Sequence, residues 1–202
     1  MKTLAKTLFA VAITAAVLSS TGLTACASEP VSSTTMNVKL STVNRIWVSG
    51  NVKLVLTQGK TQGVTETENY DATKTSISTN GKTLFINSEE TNEVVIKLTL
   101  KDLERIEAYG GSVVATSNNF DVNNLQLFIS QGANANIKTT AKSLYMVVKE
   151  EAVVKLNGTA VHSTLIASNM KNVRMNNFAC MKSESYASEA LFNAPQTAVL
   201  AK

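Results

Sequence analysis

One histidine and two cysteines are all this 202-residue chain offers for imidazole or thiolate metal ligation, and a nucleophile paired with an imidazole would have to use that one histidine. His162 has no partner at a metal-ligand spacing, and no Gly-x-Ser-x-Gly, His-Glu-x-x-His or Cys-x-x-Cys pattern accompanies it. Cys180 lies in apolar company between Phe178 and Met181, which predicts a small buried hydrophobe with a protonated, inert thiol. Aspartate is scarce, at 71, 102 and 121, and no Asp-x-Asp or Asp-Asp occurs to seat a cation or a pair of catalytic carboxylates. Lys149-Glu150-Glu151 and Glu89-Glu90 are able to bind cations or sugars. Charge at exposed turns also keeps sheets from associating, and that plainer role is the expected one. The residues therefore imply no catalytic, cofactor-binding or metal site, and no cofactor.

The remaining reactive group is Cys26. It follows a basic start (Lys2, Lys6), an apolar run from Leu8 to Leu18 and the residues Leu23-Thr24-Ala25. The run is too short to span a bilayer stably, and small residues before a cysteine suit a lipoprotein signal peptidase, which leaves a diacylglyceryl-modified Cys as the new N-terminus. Ala25-Cys26-Ala27 also fits an ordinary secretory cleavage site, which would release a soluble protein beginning at Ser28. Both readings imply export. The lipid reading makes Cys26 the attachment to a membrane.

Removing residues 1–25 takes away Lys2 and Lys6 and no acid, lowering the formal charge from +4 to +2. Basic residues are scattered singly among the acids, so the clustered cations that bind a phosphate backbone are missing and no nucleic-acid partner is expected. With one cysteine left in an oxidising compartment, a disulfide framework is excluded.

Positioning elements follow from two periodicities. Between Val38 and Leu100 apolar residues alternate, as in Val52-x-Leu54-x-Leu56 and Val94-x-Ile96-x-Leu98-x-Leu100, the mark of half-buried strands. Asn80-Gly81 between Ile77 and Leu84-x-Ile86 predicts a tight antiparallel hairpin, while residues 57–60 and 88–93 are expected turns. After Leu103, apolar positions recur every nineteen residues: Leu127, Met146 and Leu165; Ile129, Val148 and Ala167; Ala135, Val154 and Val173; Ile137, Leu156 and Met175. The last two series continue to Phe192 and Ala194, and Ile106 and Ala108 join the first two at a spacing of twenty-one. Such a repeat predicts an all-β, parallel β-helix-like solenoid whose coils stack like on like, preceded by N-terminal strands with a hairpin. Each coil reads as strand, turn, strand and return loop: 125–129, 130–132, 133–137 and 138–143. The many asparagines of this half read as turn formers. In this register Glu150 falls opposite Gln131 and Asn169, so no acidic cluster forms.

The residues Ile46-Trp47-Val48-Ser49-Gly50-Asn51-Val52, Leu54-x-Leu56-x-Gln58-Gly59, Gly81-Lys82-x-Leu84-x-Ile86 and Leu103-x-x-Ile106 carry a resemblance. From about Val43 to Phe192 the chain resembles the "putative auto-transporter adhesin, head GIN domain" family of exported proteins from Bacteroidetes-type bacteria. It departs in its turns, where Tyr109-Gly110-Gly111-Ser112 and Ser130-Gln131-Gly132-Ala133 keep glycine but Lys149-Glu150-Glu151-Ala152 and Ser168-Asn169-Met170-Lys171 do not. The resemblance implies a β-solenoid-like domain with a surface or adhesive role, and brings no catalytic residues with it. Gly110, Gly111 and Gly132 are the expected structural turns.

The organisation expected is thus a signal peptide (1–26), a polar tether (27–37) and a head GIN-like domain (38–202). The expected role is structural, adhesive or binding, in a periplasmic, outer-membrane-associated or cell-surface location. A polysaccharide or protein is the expected ligand. Two other roles stay open: a polysaccharide-active β-helix enzyme, which would need carboxylates converging on one face, and a scaffold for envelope signalling.

Overall fold

The structure, a computed structural model, describes residue 40 and residues 42–187. Cys26, the tether, Phe192 and Ala194 lie outside the described residues. Twelve strands form one curled, half-barrel sheet with almost no helix, in keeping with an all-β chain.

β1 (Arg45–Gly50), β5 (Thr83–Ser88), β7 (Arg105–Tyr109) and the second half of β9 (Phe120–Ile129) lie side by side and parallel. β6 (Val94–Leu100), β2 (Val52–Gln58) and β8 (Val113–Thr116) form a second parallel group. The two groups meet on β10 (Asn134–Val148), whose first residues pair with β8 and whose remainder pairs with β9. β11 (Val153–Ala167) and β12 (Val173–Ala187) then add along the whole length of β10. Among the described residues only β3 (Gly63–Glu68) on β6 and β4 (Thr75–Asn80) on β5 are antiparallel. The β4–β5 turn is the Asn80-Gly81 hairpin, with Gly81 at φ 59°.

Alternation decides which side chains go inward. Leu127, Met146 and Leu165 are registered neighbours and buried, as are Ile129, Val148 and Ala167. Ile106 pairs with Leu127 and Ala108 with Ile129 at the front of the same rows. Between Lys155 and Asn157 a bulge shifts β12 by one residue, so Leu165 pairs with Ser185, twenty residues on. Met175 packs only partly against the core.

Three details depart from expectation. Residues 138–143 are not a return loop but part of β10: Thr139 and Ala141 point inward, and the Thr139 hydroxyl donates to the Phe120 carbonyl at 2.8 Å. The strand runs through without a break, and its alternation is interrupted only at two consecutive exposed residues, Lys142 and Ser143. Cys180 is half-buried rather than buried, because it lies on β12, which among the described residues pairs only with β11 and so is covered on one side. Thr57, Gln58 and Ser88 end strands instead of forming turns.

Gln58 shows why the Gln-Gly motif sits where it does. Its Nε2 donates to the carbonyls of Lys101 (3.3 Å) and Asp121 (3.1 Å), and its Oε1 accepts from Asp121 N–H at 2.8 Å. Asn118 brackets its backbone on both sides, at 2.8 and 2.9 Å. A primary amide is both donor and acceptor, which is what joining the ends of three chain segments requires.

Candidate functional site

The core rows described above are buried and reach no solvent-facing chemistry, and the turn glycines join the strands that carry them. Gly110 (φ 63°) and Gly132 (φ 77°) occupy left-handed positions of stacked four-residue turns, closed by Ser112 N–H on Tyr109 O and Ala133 N–H on Ser130 O. Gly111 does not have a positive φ. In the third turn Glu150 (φ 49°) and Glu151 (φ 63°) adopt the left-handed conformation without glycine, and the Glu150 carbonyl accepts from Gly132 N–H at 2.8 Å. His162 is exposed and pairs with Ser143 and Lys182. The Cys180 thiol donates to the Lys182 carbonyl at 3.1 Å. Among the described residues no three His, Cys, Asp or Glu side chains come together to hold a metal ion.

Where side chains do converge is the outward face of β5, β1, β7 and β9. The alternation that buries Leu84 and Ile86, Ile46 and Val48, and Leu127 and Ile129 turns the residue between each pair outward: Phe85, Trp47 and Phe128. Phe85 is registered on Trp47, Trp47 on Glu107, and Glu107 on Phe128, so they form one row across four strands. Tyr109 joins from the end of β7 and Tyr145 from β10. Ring centroids are 6.0 Å apart for Trp47 and Phe85, 5.6 Å for Trp47 and Tyr109, and 5.9 Å for Phe128 and Tyr145.

Polar groups interleave with the rings. Arg105 lies 5.1 Å over the Phe128 ring, a cation–π contact, while its Nε donates to Gln126 Oε1 at 2.8 Å and its Nη1 meets Glu107 Oε1 at 3.3 Å. The Tyr109 hydroxyl donates to the other Glu107 oxygen at 3.1 Å. Burial, and then the hydrogen bond and charge of Glu107, raise the Tyr109 pKa above the ordinary phenol value. Arg45, in register with Arg105, is paired with Glu104 at 3.2 Å. These half-exposed pairs contribute at most about 1 kcal/mol each, so their importance is in aiming side chains. Beside the row, at the starts of β1 and β7 and along β9, a cleft of about 240 Å³ opens, lined by Arg45, Asp102, Glu104, Arg105, Asn123, Asn124 and Gln126.

The aromatic face is absent from the expectations drawn from the sequence. Its signal was an aromatic between two inward apolar residues, repeated in Leu84-Phe85-Ile86, Ile46-Trp47-Val48, Leu127-Phe128-Ile129 and Leu144-Tyr145-Met146. Hydrophobic alternation counts such a triplet as a short apolar run, and the outward ring is lost in it.

The chain is thus an all-β protein whose single sheet carries an exposed aromatic and hydrogen-bonding face. The chain belongs to the putative auto-transporter adhesin, head GIN domain family, whose model matches residues 42–188. It is similar in fold to a putative adhesin from Bacteroides fragilis, at 20% identity and a TM-score of 0.67 over 76% of this chain and 74% of that one. A putative adhesin from Parabacteroides distasonis gives 15% identity and 0.57 over 76% and 77%. A putative lipid binding protein from the same organism gives 13% identity and 0.54 over 73% and 75%. No curated protein matches the chain.

Proposed function

We propose that this chain is an exported cell-envelope protein with a non-catalytic, adhesive role, held to a membrane by lipid on Cys26. Residues 27–37 tether a β-solenoid that displays the aromatic face. Family membership supports the adhesive role, and the nineteen-residue parallel register of β10 on β11 supports the solenoid. The observation that carries the reading is the row of outward rings at β5, β1 and β9, because a folded chain rarely leaves aligned aromatics in water without something to bind.

Protease shaving of intact cells, with detection of the chain, tests it together with fatty-acid labelling of wild type and Cys26→Ser. The expected result is loss of the chain on shaving and a label that disappears with the cysteine. A chain protected in intact cells would refute adhesion, and an unlabelled soluble species beginning at Ser28 would refute the lipid anchor.

A further inference from the structure

We infer that the outward aromatic row and its adjoining cleft form a site for an extended, neutral polysaccharide laid across the strands. This rests on the proposed binding role and names its ligand class. Four observations favour that occupant.

The first is charge. The Arg45 and Arg105 cations are paired with Glu104 and Glu107, and Asp102 adds a further acid to the cleft, so two cations face three carboxylates. With both lining cations already paired, the cleft offers phosphate backbones, anionic lipid headgroups and acidic polysaccharides no unpaired guanidinium to bind. The second is hydrogen bonding. Among the described residues the side-chain amides of Asn123 and Asn124 and the Nε2 of Gln126 have no protein partner, and amides offer the donors and acceptors that sugar hydroxyls match.

The third is spacing. Trp47 and Phe128 lie two strands apart with Glu107 between them, which places the rings about 9–10 Å from one another, comparable to two sugar units of an extended chain. In such a chain alternate units present the same apolar C–H face, and an indole or phenyl ring is the surface that face packs on. The fourth is tilt. Neighbouring rings stand at 38–53° to each other, so no flat ligand lies on all of them. A chain free to rotate at each glycosidic bond does.

The test is affinity electrophoresis and calorimetry of the full chain in detergent against cellohexaose, xylohexaose and mannohexaose. Polygalacturonate and phosphatidylglycerol vesicles serve as charged comparisons. At least one neutral hexasaccharide should bind, at least tenfold more tightly than its disaccharide because it reaches several rings. Trp47→Ala and Phe128→Ala should each weaken it at least tenfold with an unchanged melting curve; Met181→Ala, at an 85% exposed position off the row, should not. If Trp47→Ala melts differently, Trp47→Leu keeps bulk while removing the ring and should show the same loss. Failure of all three hexasaccharides, binding indifferent to both ring variants, preference for the charged probes, or release of reducing ends would overturn the inference. A chain that is shaved and labelled on cells yet binds none of the glycans would leave the adhesive proposal standing and this one refuted.

Discussion

Val148 and Lys149 are adjacent, and the end of β10 divides them into opposite environments. Val148 is 2% exposed between Ile129 and Ala167, whereas Lys149 opens a solvated turn. Val148→Asp puts an unpaired carboxylate in the core and should cost several kcal/mol or prevent folding. Lys149→Ala should stay within about ±0.5 kcal/mol. Met146→Ala should lose roughly 2–5 kcal/mol through the cavity left between Leu127 and Leu165. Denaturant melts of the three variants measure all of this, and equal small effects at 148 and 149 would contradict the packing. Tyr109 gives a titration at the same scale. A phenol whose pKa is raised by folding contributes stability below its unfolded value and loses it as pH rises through the folded one. Glu107→Gln should lower the Tyr109 midpoint in an ultraviolet titration without returning it to the ordinary value, since burial remains. An unchanged midpoint would mean that Glu107 has no influence on the phenol.

At the scale of elements, two glycines with positive φ answer to different constraints. Gly132 (φ 77°) sits in a turn where an added Cβ meets nothing, so Gly132→Ala should cost only the left-handed backbone, about 1–2 kcal/mol. Gly158 (φ 111°) lies inside β11 against the Thr139 carbonyl of β10, and an added Cβ would run into that backbone. Gly158→Ala should therefore cost on the order of 3 kcal/mol or more and perturb both strands; equal melting points for the two variants would show that β10 and β11 do not approach so closely. The same strands show what the sequence made visible. Leu127, Met146 and Leu165 are large and apolar, so their recurrence stands out against polar neighbours. Thr139 and Ala141 also point inward, but a hydroxyl and a methyl give a hydropathy pattern no signal, and a strand read as a loop. The hairpin at Asn80-Gly81 was legible because its turn chemistry is local. The outward rings were not, because which face of a strand meets solvent depends on neighbours distant in sequence.

For the whole molecule, the parallel, full-length pairing of β10, β11 and β12 makes a statement about force. In the proposed adhesive role the protein works under tension, and how it yields depends on whether its chain segments are pulled apart together or peeled in turn. β10 and β11 meet at residues nineteen apart over nearly all of their fifteen residues, so each added length of chain rests mainly on the one before it. Stretched from its ends in an optical trap, such a stack should pay out in successive increments of nineteen to twenty residues, roughly 60–70 Å of contour length each. A single rip spanning all of residues 120–187 would instead mean that these strands fail as one body. Stepwise yielding dissipates work at every increment while the strands not yet reached, β1 with Trp47 among them, keep their shape. The fold would then act as a shock absorber in series with its own grip.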